Sequence, residues 1–224
     1  MTKKQKGIIL MEIKYYGHSC FLIKSKNASI VVDPYEEKIG LGKLKIKADI
    51  ALSTHDHYDH NSLTSILSDK RETFKIFGSG EYEVNGVIFE GISSYHDKQK
   101  GDDRGKNTIY TILAEGVKIC HLGDLGHLLS DSQLDKIGEV DILMIPVGGK
   151  FTIDASDASK VINQIEPKIV IPMHYKQEGT SVDIASLDEF LKQESMNVEK
   201  LDVLKIDKKS LPQEEESKIV VLEK

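Results

Sequence analysis

Histidine and aspartate residues crowd one short segment of this chain. Of its eight histidines, three lie in the run Thr54-His55-Asp56-His57-Tyr58-Asp59-His60-Asn61. The apolar residues Ile50-Ala51-Leu52 come just before it, so we expect a strand that delivers the run into a loop. Histidine is the commonest metal ligand among side chains, and histidines one residue apart converge when the backbone is extended or tightly turned. The segment predicts a metal site, and a solvated polar loop is the weaker alternative because histidine is rare.

Further candidate ligands stand elsewhere in the chain, each just after a predicted strand. Residues that follow different strands can meet at one rim of a sandwich although they are far apart in sequence. The whole set is rich in nitrogen, contains two carboxylates and lacks thiolates. Such ligands suit zinc, manganese or iron, and they disfavour a structural zinc site of the cysteine type. The set is His55, His57, Asp59, His60, His96, Asp124 and His174.

Other polar residues near these positions have more than one interpretation. Three histidines outside the set, His18, His121 and His127, suit a structural or supporting role at least as well as ligation. His96 could be a simple loop histidine, and Asp56 could be a supporting or a merely solvated residue. Types and spacing alone leave these alternatives open.

The elements that position these residues change in type along the chain. Up to about residue 122 we expect short strands, with the first three in an antiparallel meander and Asn85-Gly86 as a hairpin turn. We expect Asn61 to cap a helix that runs to about Leu67, and the polar residues 98–107 to form a mobile loop beside His96. The predicted strands are 12–16, 20–23, 29–32, 47–53, 74–77, 81–84, one from Val87 to about residue 94, 108–113 and 117–122.

After His127 the pattern changes to alternating helices and strands. Asp154 is placed to cap the second of these helices. A strand-rich half and a mixed half, both ending on candidate ligands, predict two stacked sheets with helices outside. The predicted helices are 130–137, 154–164 and 186–193, and the predicted strands are 141–147, 168–171, 198–206 and 219–222, with an acidic exposed turn at 212–217.

Length and composition predict one ordinary globular domain over residues 1–224, with residues 1–10 as a flexible extension. The chain has 39% hydrophobic and 29% charged residues, which is typical of soluble proteins. No apolar run is long enough for a bilayer, and the apolar stretch that stops at Met11 is too short for a signal peptide. We therefore expect a cytoplasmic protein without a membrane partner, in which Cys20 and Cys120 are reduced and buried.

The charge of the chain bears on its partners. The formal net charge is −6, whereas nucleic-acid binders usually show a basic excess or a basic stripe. We therefore expect a small-molecule substrate and consider nucleic acid unlikely. The sequence also lacks the Gly-x-Ser-x-Gly elbow of serine hydrolases, and neither cysteine lies in a recognisable catalytic setting.

The run His55-x-His57-x-Asp59-His60, followed by a lone histidine, an aspartate after a glycine and a later histidine, resembles the metallo-β-lactamase superfamily. Four more segments resemble its small, single-domain branch of UlaG-like and uncharacterised metal-dependent hydrolases. The resemblance covers most of the chain, and the first motif is highly specific. The four segments are Gly17-His18-Ser19, Gly123-Asp124-Leu125-Gly126-His127, Pro146-Val147-Gly148-Gly149 and Ile171-Pro172-Met173-His174-Tyr175.

This resemblance implies an αββα sandwich, with two mixed sheets face to face and helices outside, and a site for two divalent metal ions, zinc before manganese or iron. His55, His57 and His96 would hold one metal, Asp59, His60 and His174 the other, and Asp124 would bridge them. Asp59 would also orient the nucleophile, and His127 or Tyr175 would donate a proton or stabilise charge.

The expected function is hydrolysis of a small ester, lactone or phosphoester. His57 stands where redox-active diiron members of the superfamily carry glutamate, which favours hydrolysis over oxygen chemistry. A nuclease of the same fold and a non-catalytic metal-binding protein are the alternatives. A nuclease should present basic surface, which is not evident here. The intact ligand set argues against a non-catalytic protein.

Overall fold

Two β-sheets form the protein, as its computed structural model shows for residues 10–69, 72–213 and 216–224. The predicted flexible extension 1–10 lies, except for Leu10, outside these residues, as does part of the predicted turn 212–217. The strands are β1 Met11–Gly17, β2 Cys20–Lys24, β3 Ser29–Val32, β4 Ile50–Ser53, β5 Phe74–Phe77, β6 Gly80–Val84, β7 Val87–Tyr95, β8 Lys106–Ala114, β9 Val117–His121, β10 Ile142–Pro146, β11 Ile169–Met173, β12 Asn197–Leu201, β13 Leu204–Ile206 and β14 Lys218–Leu222. The helices are α1 Asp131–Ile137, α2 Ala155–Ile165 and α3 Leu187–Leu191.

Both sheets mix antiparallel and parallel pairing. The first has the order β13-β1-β2-β3-β4-β5 and is antiparallel through the predicted meander β1-β2-β3, then parallel from β3 to β5. The second has the order β12-β14-β11-β10-β9-β8-β7-β6, with parallel pairing from β9 to β12 and antiparallel pairing from β6 to β9. Parallel strands place their carboxyl ends at one edge, which is where the candidate ligands follow.

The core lies between the two sheets. In β1 the buried residues Met11, Ile13 and Tyr15 alternate with more exposed ones, so one face of this strand points inward. Strands β10 and β11 are buried along their whole length, as expected for parallel strands covered on both faces. A single cluster of buried apolar side chains joins residues of both sheets, so the sheets pack face to face.

Helices cover the outer face of the second sheet. Asp154 caps α2 by accepting a hydrogen bond from Asp157 N at 2.9 Å, and Ala158, Val161 and Ile162 of α2 belong to the same cluster of buried apolar side chains. Ser130 caps α1 in a capping box with Gln133. The mixed α/β sandwich predicted from the sequence is confirmed, and both cysteines are buried and unpaired.

Two predicted elements are wrong. The helix predicted from Asn61 to Leu67 is a single 3-10 turn, Leu63–Ser65, because Asn61 Nδ2 bonds Asp56 Oδ1 at 2.7 Å and Leu67 forms a parallel bridge with Lys47. The strand predicted over 198–206 is two strands, β12 and β13, which belong to different sheets. No helix in the described part of the chain combines the length and apolar character needed to cross a bilayer.

Candidate metal centre

Parallel pairing of β3 with β4 brings together two segments that carry polar side chains. Asp33 follows β3, and the histidine-rich loop follows β4. The Asp33 carboxylate accepts hydrogen bonds from Thr54 N at 2.8 Å, Thr54 Oγ1 at 2.8 Å and His60 Nδ1 at 2.9 Å. Burial opposes ionisation of Asp33, but the neighbouring His60 keeps the pKa of this carboxyl below its ordinary value. An ionised, fully buried Asp33 therefore fixes the start of the loop.

Three imidazole rings are oriented through their Nδ1 atoms. His60 Nδ1 donates to Asp33, His55 Nδ1 lies 3.0 Å from Thr54 Oγ1, and His96 Nδ1 lies 2.9 Å from the carbonyl oxygen of Phe151. Because Thr54 Oγ1 donates to Asp33, it accepts from His55. A ring that donates through Nδ1 presents the lone pair of Nε2 on its other side. All three rings are therefore prepared as Nε2 ligands.

These Nε2 atoms surround one carboxylate, that of Asp124, which follows β9. Lone pairs on nitrogen and oxygen repel at about 3 Å unless a proton or a metal cation lies between them. Asp124 Oδ1 and His55 Nε2 are buried without a hydrogen-bond partner among the described residues. The distances from Asp124 Oδ2 are 3.1 Å to His96 Nε2, 3.2 Å to His174 Nε2, 3.3 Å to His60 Nε2 and 3.8 Å to His55 Nε2.

Asp124 and the histidines around it form a cluster in which a bound positive charge would be stabilised. Burial lowers the pKa of His60, but Asp124 and Asp33 outweigh it and raise that pKa well above the ordinary value. Burial and the neighbouring His60 instead hold the pKa of His55 well below its ordinary value. Burial would raise the pKa of Asp124, yet the histidines around it keep it well below the usual range. Because adjacent buried imidazolium ions repel one another, divalent cations supply this charge better than protons do.

Within the described ranges, three groups of side chains are close enough to hold a metal ion, each with its ligand atoms within 4.8 Å of one another. The first is the predicted set His55, His57 and His96. The donors are neutral imidazoles and carboxylates, which fit zinc, manganese or iron. The other two groups are His18, His60 and His174, and His55, His60 and Asp124.

Comparison with known proteins agrees with this geometry. The family model for the beta-lactamase superfamily domain matches residues 12–174, more than half of the chain. The chain belongs to the beta-lactamase superfamily. It is 32% identical to a UPF0173 metal-dependent hydrolase of Lysinibacillus sphaericus, over 74% of this chain and 85% of the relative. It therefore also belongs to the UPF0173 family of metal-dependent hydrolases, and the predicted resemblance to the superfamily is confirmed.

Two further proteins are similar to this chain over most of its length. The chain is 31% identical to a UPF0173 protein of Pyrococcus abyssi, over 75% of this chain and 85% of the relative. A solved structure from Thermotoga maritima, described as a candidate Zn-dependent hydrolase of the metallo-β-lactamase superfamily, shares 34% identity with a TM-score of 0.77. That alignment covers 95% of this chain and 98% of the other.

His18 lies closer to the candidate ligands than the sequence indicated. Its Nε2 lies 3.1 Å from His60 Nε2 and 3.2 Å from Asp59 Oδ2. Its backbone is held by Tyr15 OH, which donates to His18 O at 2.8 Å, and by Gln177 Oε1, which accepts from His18 N at 2.8 Å. In the sequence, His18 stands in Gly17-His18-Ser19 at the end of β1. This segment has no spacing typical of metal ligands, so it did not indicate that His18 lies beside His60.

Asp59, predicted with His60 and His174 at the second metal, occupies the open side of the cluster. Its side chain is 16% exposed, whereas that of His60 is fully buried, and its Oδ2 lies 3.9 Å from His60 Nε2. Burial opposes ionisation, but the hydrogen bond from His18 lowers the pKa of Asp59 below its ordinary value. Asp59 is therefore ionised at neutral pH and faces the cavity beside the cluster.

Three residues of this site have strained backbone. His18, Asp33 and His174 have φ values of 57°, 48° and 52°, in the left-handed region that non-glycine residues seldom adopt. Such conformations persist where surrounding contacts hold them, and here His174 N donates to His18 O at 2.8 Å. The strained backbone turns these side chains toward the cluster instead of along their strands.

Two glycines allow the ligand segments to pack closely. A Cβ atom at Gly126 would lie 2.3 Å from Asp97 N and 2.4 Å from His96 C, and one at Gly148 would lie 2.1 Å from His174 O. A larger residue at either place must displace the backbone of a candidate ligand. Asn107 supports the centre from β8, because its buried Oδ1 accepts a hydrogen bond from Asp124 N at 3.0 Å.

His127, predicted as a catalytic group, lies outside the three ligand groups. Its Nε2 accepts a hydrogen bond from Tyr95 N at 3.2 Å, and its Nδ1 donates to Leu128 O at 2.7 Å. Both ring nitrogens are thus engaged with backbone, next to the strand end that carries His96. Tyr175, the other predicted proton donor, is buried in the core with its ring 6.2 Å from that of Tyr15, and burial raises its pKa to about 12.

His121 has a structural position. It is fully buried, with Nε2 3.1 Å from Ser19 O and Nδ1 accepting from Gly123 N at 3.1 Å. Asp56 is exposed and bonds Asn61, away from the buried ligands.

Two cavities open beside the cluster. One has a volume of about 450 Å³ and is lined by His57, Asp59, His96 and Arg104 among others. The other has a volume of about 690 Å³ and is lined by His55, His57 and Arg104 among others. Pockets of this size suit small molecules.

Proposed function

We propose that this protein uses two divalent metal ions, zinc by preference, to hydrolyse a small ester, lactone or phosphoester. The observation that carries the proposal is the convergence of four histidine Nε2 atoms on Asp124 Oδ2 between two groups of candidate ligands. Asp124 belongs with both groups because it lies 3.1 Å from His96 and 3.2 Å from His174.

We assign the residues that would hold the ions as the superfamily resemblance implies. His55, His57 and His96 would hold one ion, Asp59, His60 and His174 the other, and Asp124 both. Metal ions in such sites lower the pKa of water and polarise the oxygen of the bond under attack. His60 and His55 would coordinate through Nε2 because their Nδ1 atoms are engaged with Asp33 and Thr54.

Asp59 is the group best placed to accept the proton of the attacking water. It is ionised, it lines the 450 Å³ cavity, and His18 Nε2 at 3.2 Å orients its Oδ2. The other carboxylate of the cluster, Asp124, is only 3% exposed and faces histidines. Proton acceptance at Asp59 Oδ2 requires no movement of the buried ligands.

His127 would act indirectly. Its hydrogen bond to Tyr95 N fixes the backbone just before His96, so we assign it to positioning this ligand. The small volume of the cavities and the net charge of −6 support a small-molecule substrate over nucleic acid.

The test is a panel of substrates with defined metals. Purified protein is stripped, reloaded with zinc, manganese or iron, and assayed on an aryl ester, a lactone, a phosphodiester and a phosphomonoester. His55→Ala, prepared in the same way, corrects for contaminating hydrolases. We expect metal-dependent turnover of at least one ester, lactone or phosphoester. Rates equal to those of His55→Ala for every substrate and every metal would contradict the proposed function.

A further inference from the structure

Arg104 occupies the place where the two cavities beside the metal centre meet. It lines both cavities, and its guanidinium lies over the ring of Phe151 at 4.1 Å from the ring centroid. Among the described residues, no carboxylate forms an ion pair with it, although Asp102 and Asp103 stand in the same turn. The chain has two arginines, and the other, Arg71, lies outside the described residues.

Two lysines near this position are already paired with carboxylates. Lys150 Nζ lies 2.6 Å from Asp183 Oδ2, and Lys98 Nζ lies 2.8 Å from Asp157 Oδ2. Arg104 is thus a cation left without an anionic partner in a protein of net charge −6. Its planar fork matches a carboxylate or a phosphate bidentately, and stacking on an aromatic ring leaves the edge of that fork available.

The backbone of Arg104 is fixed relative to the metal centre. The turn that carries it was predicted to be a mobile loop, but the Asp97 carboxylate ties it down. Asp97 accepts hydrogen bonds from the backbone nitrogens of Gln99, Gly101, Asp103 and Arg104 at 2.7, 2.8, 3.2 and 2.8 Å. Asp97 directly follows His96, so the turn and this candidate ligand share one anchored segment.

Phe151 contacts both Arg104 and the candidate ligand His96. Its carbonyl oxygen accepts the hydrogen bond from His96 Nδ1 at 2.9 Å, while its ring carries the guanidinium. The distance between Arg104 and the cluster is therefore set by two independent contacts. A cation held in this way can orient a substrate with respect to the reacting bond.

We propose that Arg104 binds an anionic group of the substrate, a carboxylate or phosphate that is separate from the bond being hydrolysed. This inference rests on the proposed hydrolase function and narrows its substrate class to anionic esters, lactones or phosphoesters. Arg104 is then a specificity residue that contacts the substrate, and Phe151 is the platform that positions it.

Two esters of matched shape test the proposal in the metal-loaded protein. 4-Nitrophenyl valerate is neutral, and mono-4-nitrophenyl glutarate carries a carboxylate at the far end of a similar chain. We expect wild type to favour the glutarate ester in kcat/KM. Arg104→Ala should lower kcat/KM about 10- to 100-fold for the glutarate ester, since a bidentate charged contact is lost, and leave the valerate ester nearly unchanged. Arg104→Lys should be intermediate, because lysine keeps the charge but not the fork.

A binding measurement decides the question even if neither ester is hydrolysed. Glutarate and propyl phosphate are titrated into wild type and Arg104→Ala by calorimetry, in the metal-free and the zinc-loaded protein. Weaker binding of either anion to Arg104→Ala in both states supports the proposal and shows whether carboxylate or phosphate is preferred. Lys24→Ala removes one exposed positive charge from the end of β2, outside both cavities, and should bind as wild type does.

Three results would overturn the inference. They are equal anion binding by wild type and Arg104→Ala, equal loss in Lys24→Ala, and equal loss of kcat/KM on both esters. Failure of the proposed function looks different, because wild type would then hydrolyse neither ester while anion binding still depended on Arg104.

Discussion

Asp33 Oδ2 lies 2.9 Å from His60 Nδ1, although the two residues are 27 positions apart in the chain. The same carboxylate holds both Thr54 N and Thr54 Oγ1, and Thr54 Oγ1 in turn accepts from His55. One buried residue at the end of β3 thus orients two candidate ligands after β4. Its replacement should disturb folding and metal binding together.

Asp33→Asn should weaken metal binding and lower stability, because an amide nitrogen cannot accept hydrogen bonds from Thr54 Oγ1 and His60 Nδ1. We expect metal affinity to fall about 10- to 100-fold, as for other residues that orient a ligand. The free energy of unfolding of the metal-free protein should fall by about 1–3 kcal/mol. Metal titration and urea denaturation measure these effects. Asp135→Asn on the exposed side of α1 is the control, and an equal effect there would remove Asp33 from this role.

Asp59→Asn should preserve the fold and abolish most hydrolysis. The change keeps the volume but removes a negative ligand and the proton acceptor next to His18. Loss of a positioned acid or base typically lowers the rate by about 10²- to 10⁴-fold. The measurement is kcat on the substrate that the panel finds, with circular dichroism as the folding check. Activity within a few-fold of wild type would take Asp59 out of the mechanism.

His55→Ala and His127→Ala should separate ligation from positioning. His55 contributes a buried Nε2 to the metal centre, whereas both nitrogens of His127 bond backbone. We expect His55→Ala to lose metal and all turnover. His127→Ala should keep its metal and lose turnover about 10-fold, at the low end for residues that support a ligand.

The pH profile distinguishes positioning by His127 from proton donation. A general acid must be protonated, so its removal would abolish the fall in kcat/KM on the alkaline side. We expect the profile of His127→Ala to keep the shape of the wild-type profile. A lost alkaline limb would instead make His127 the proton donor, and metal loss equal to that of His55→Ala would make it a ligand.

Asp141 should give the fold a pH dependence far from the metal centre. Its carboxylate, at the start of β10, accepts from Lys208 Nζ at 2.8 Å, Lys168 Nζ at 2.9 Å and Lys118 N at 3.0 Å. Burial opposes ionisation, but these donors, Lys208 foremost, keep the pKa of Asp141 below its ordinary value. A lowered pKa in the folded state gives stability that is fully present above the unfolded pKa of about 3.9 and is lost as the pH falls toward the folded pKa.

Asp141→Asn should therefore destabilise the protein most at neutral pH. We expect the free energy of unfolding at pH 7 to fall by about 1–3 kcal/mol, and the difference from wild type to shrink below about pH 4. Urea denaturation at a series of pH values, with Asp135→Asn for comparison, measures this difference. A difference that stays constant with pH would show that the ion pairs of Asp141 do not contribute.

The sequence predicted what local pattern determines. The strand before His55 and the cap of α2 at Asp154 depend on residues close in the chain, and the structure places both near the expected positions. The contacts of Asp33, His18 and Asn107 with the candidate ligands were not predicted, because they join residues 17 to 42 positions apart. No spacing rule reports such contacts.

The wrong elements have the same physical origin. Residues 61–67 have helical spacing, but the bridge of Leu67 with the distant Lys47 and the bond of Asn61 to Asp56 hold them in a turn and a bridge. Residues 198–206 are all compatible with extended backbone, and only the sheet order shows that the chain crosses from one sheet to the other within them. In both cases long-range packing outweighs local preference.

Metal stoichiometry tests the central claim most directly. Wild-type protein is supplied in turn with zinc, manganese and iron, freed of loosely bound metal by gel filtration, and analysed for metal by mass spectrometry against protein concentration. We expect two ions per chain with at least one of these metals. A content that stays below one ion per chain with all three would contradict the central claim.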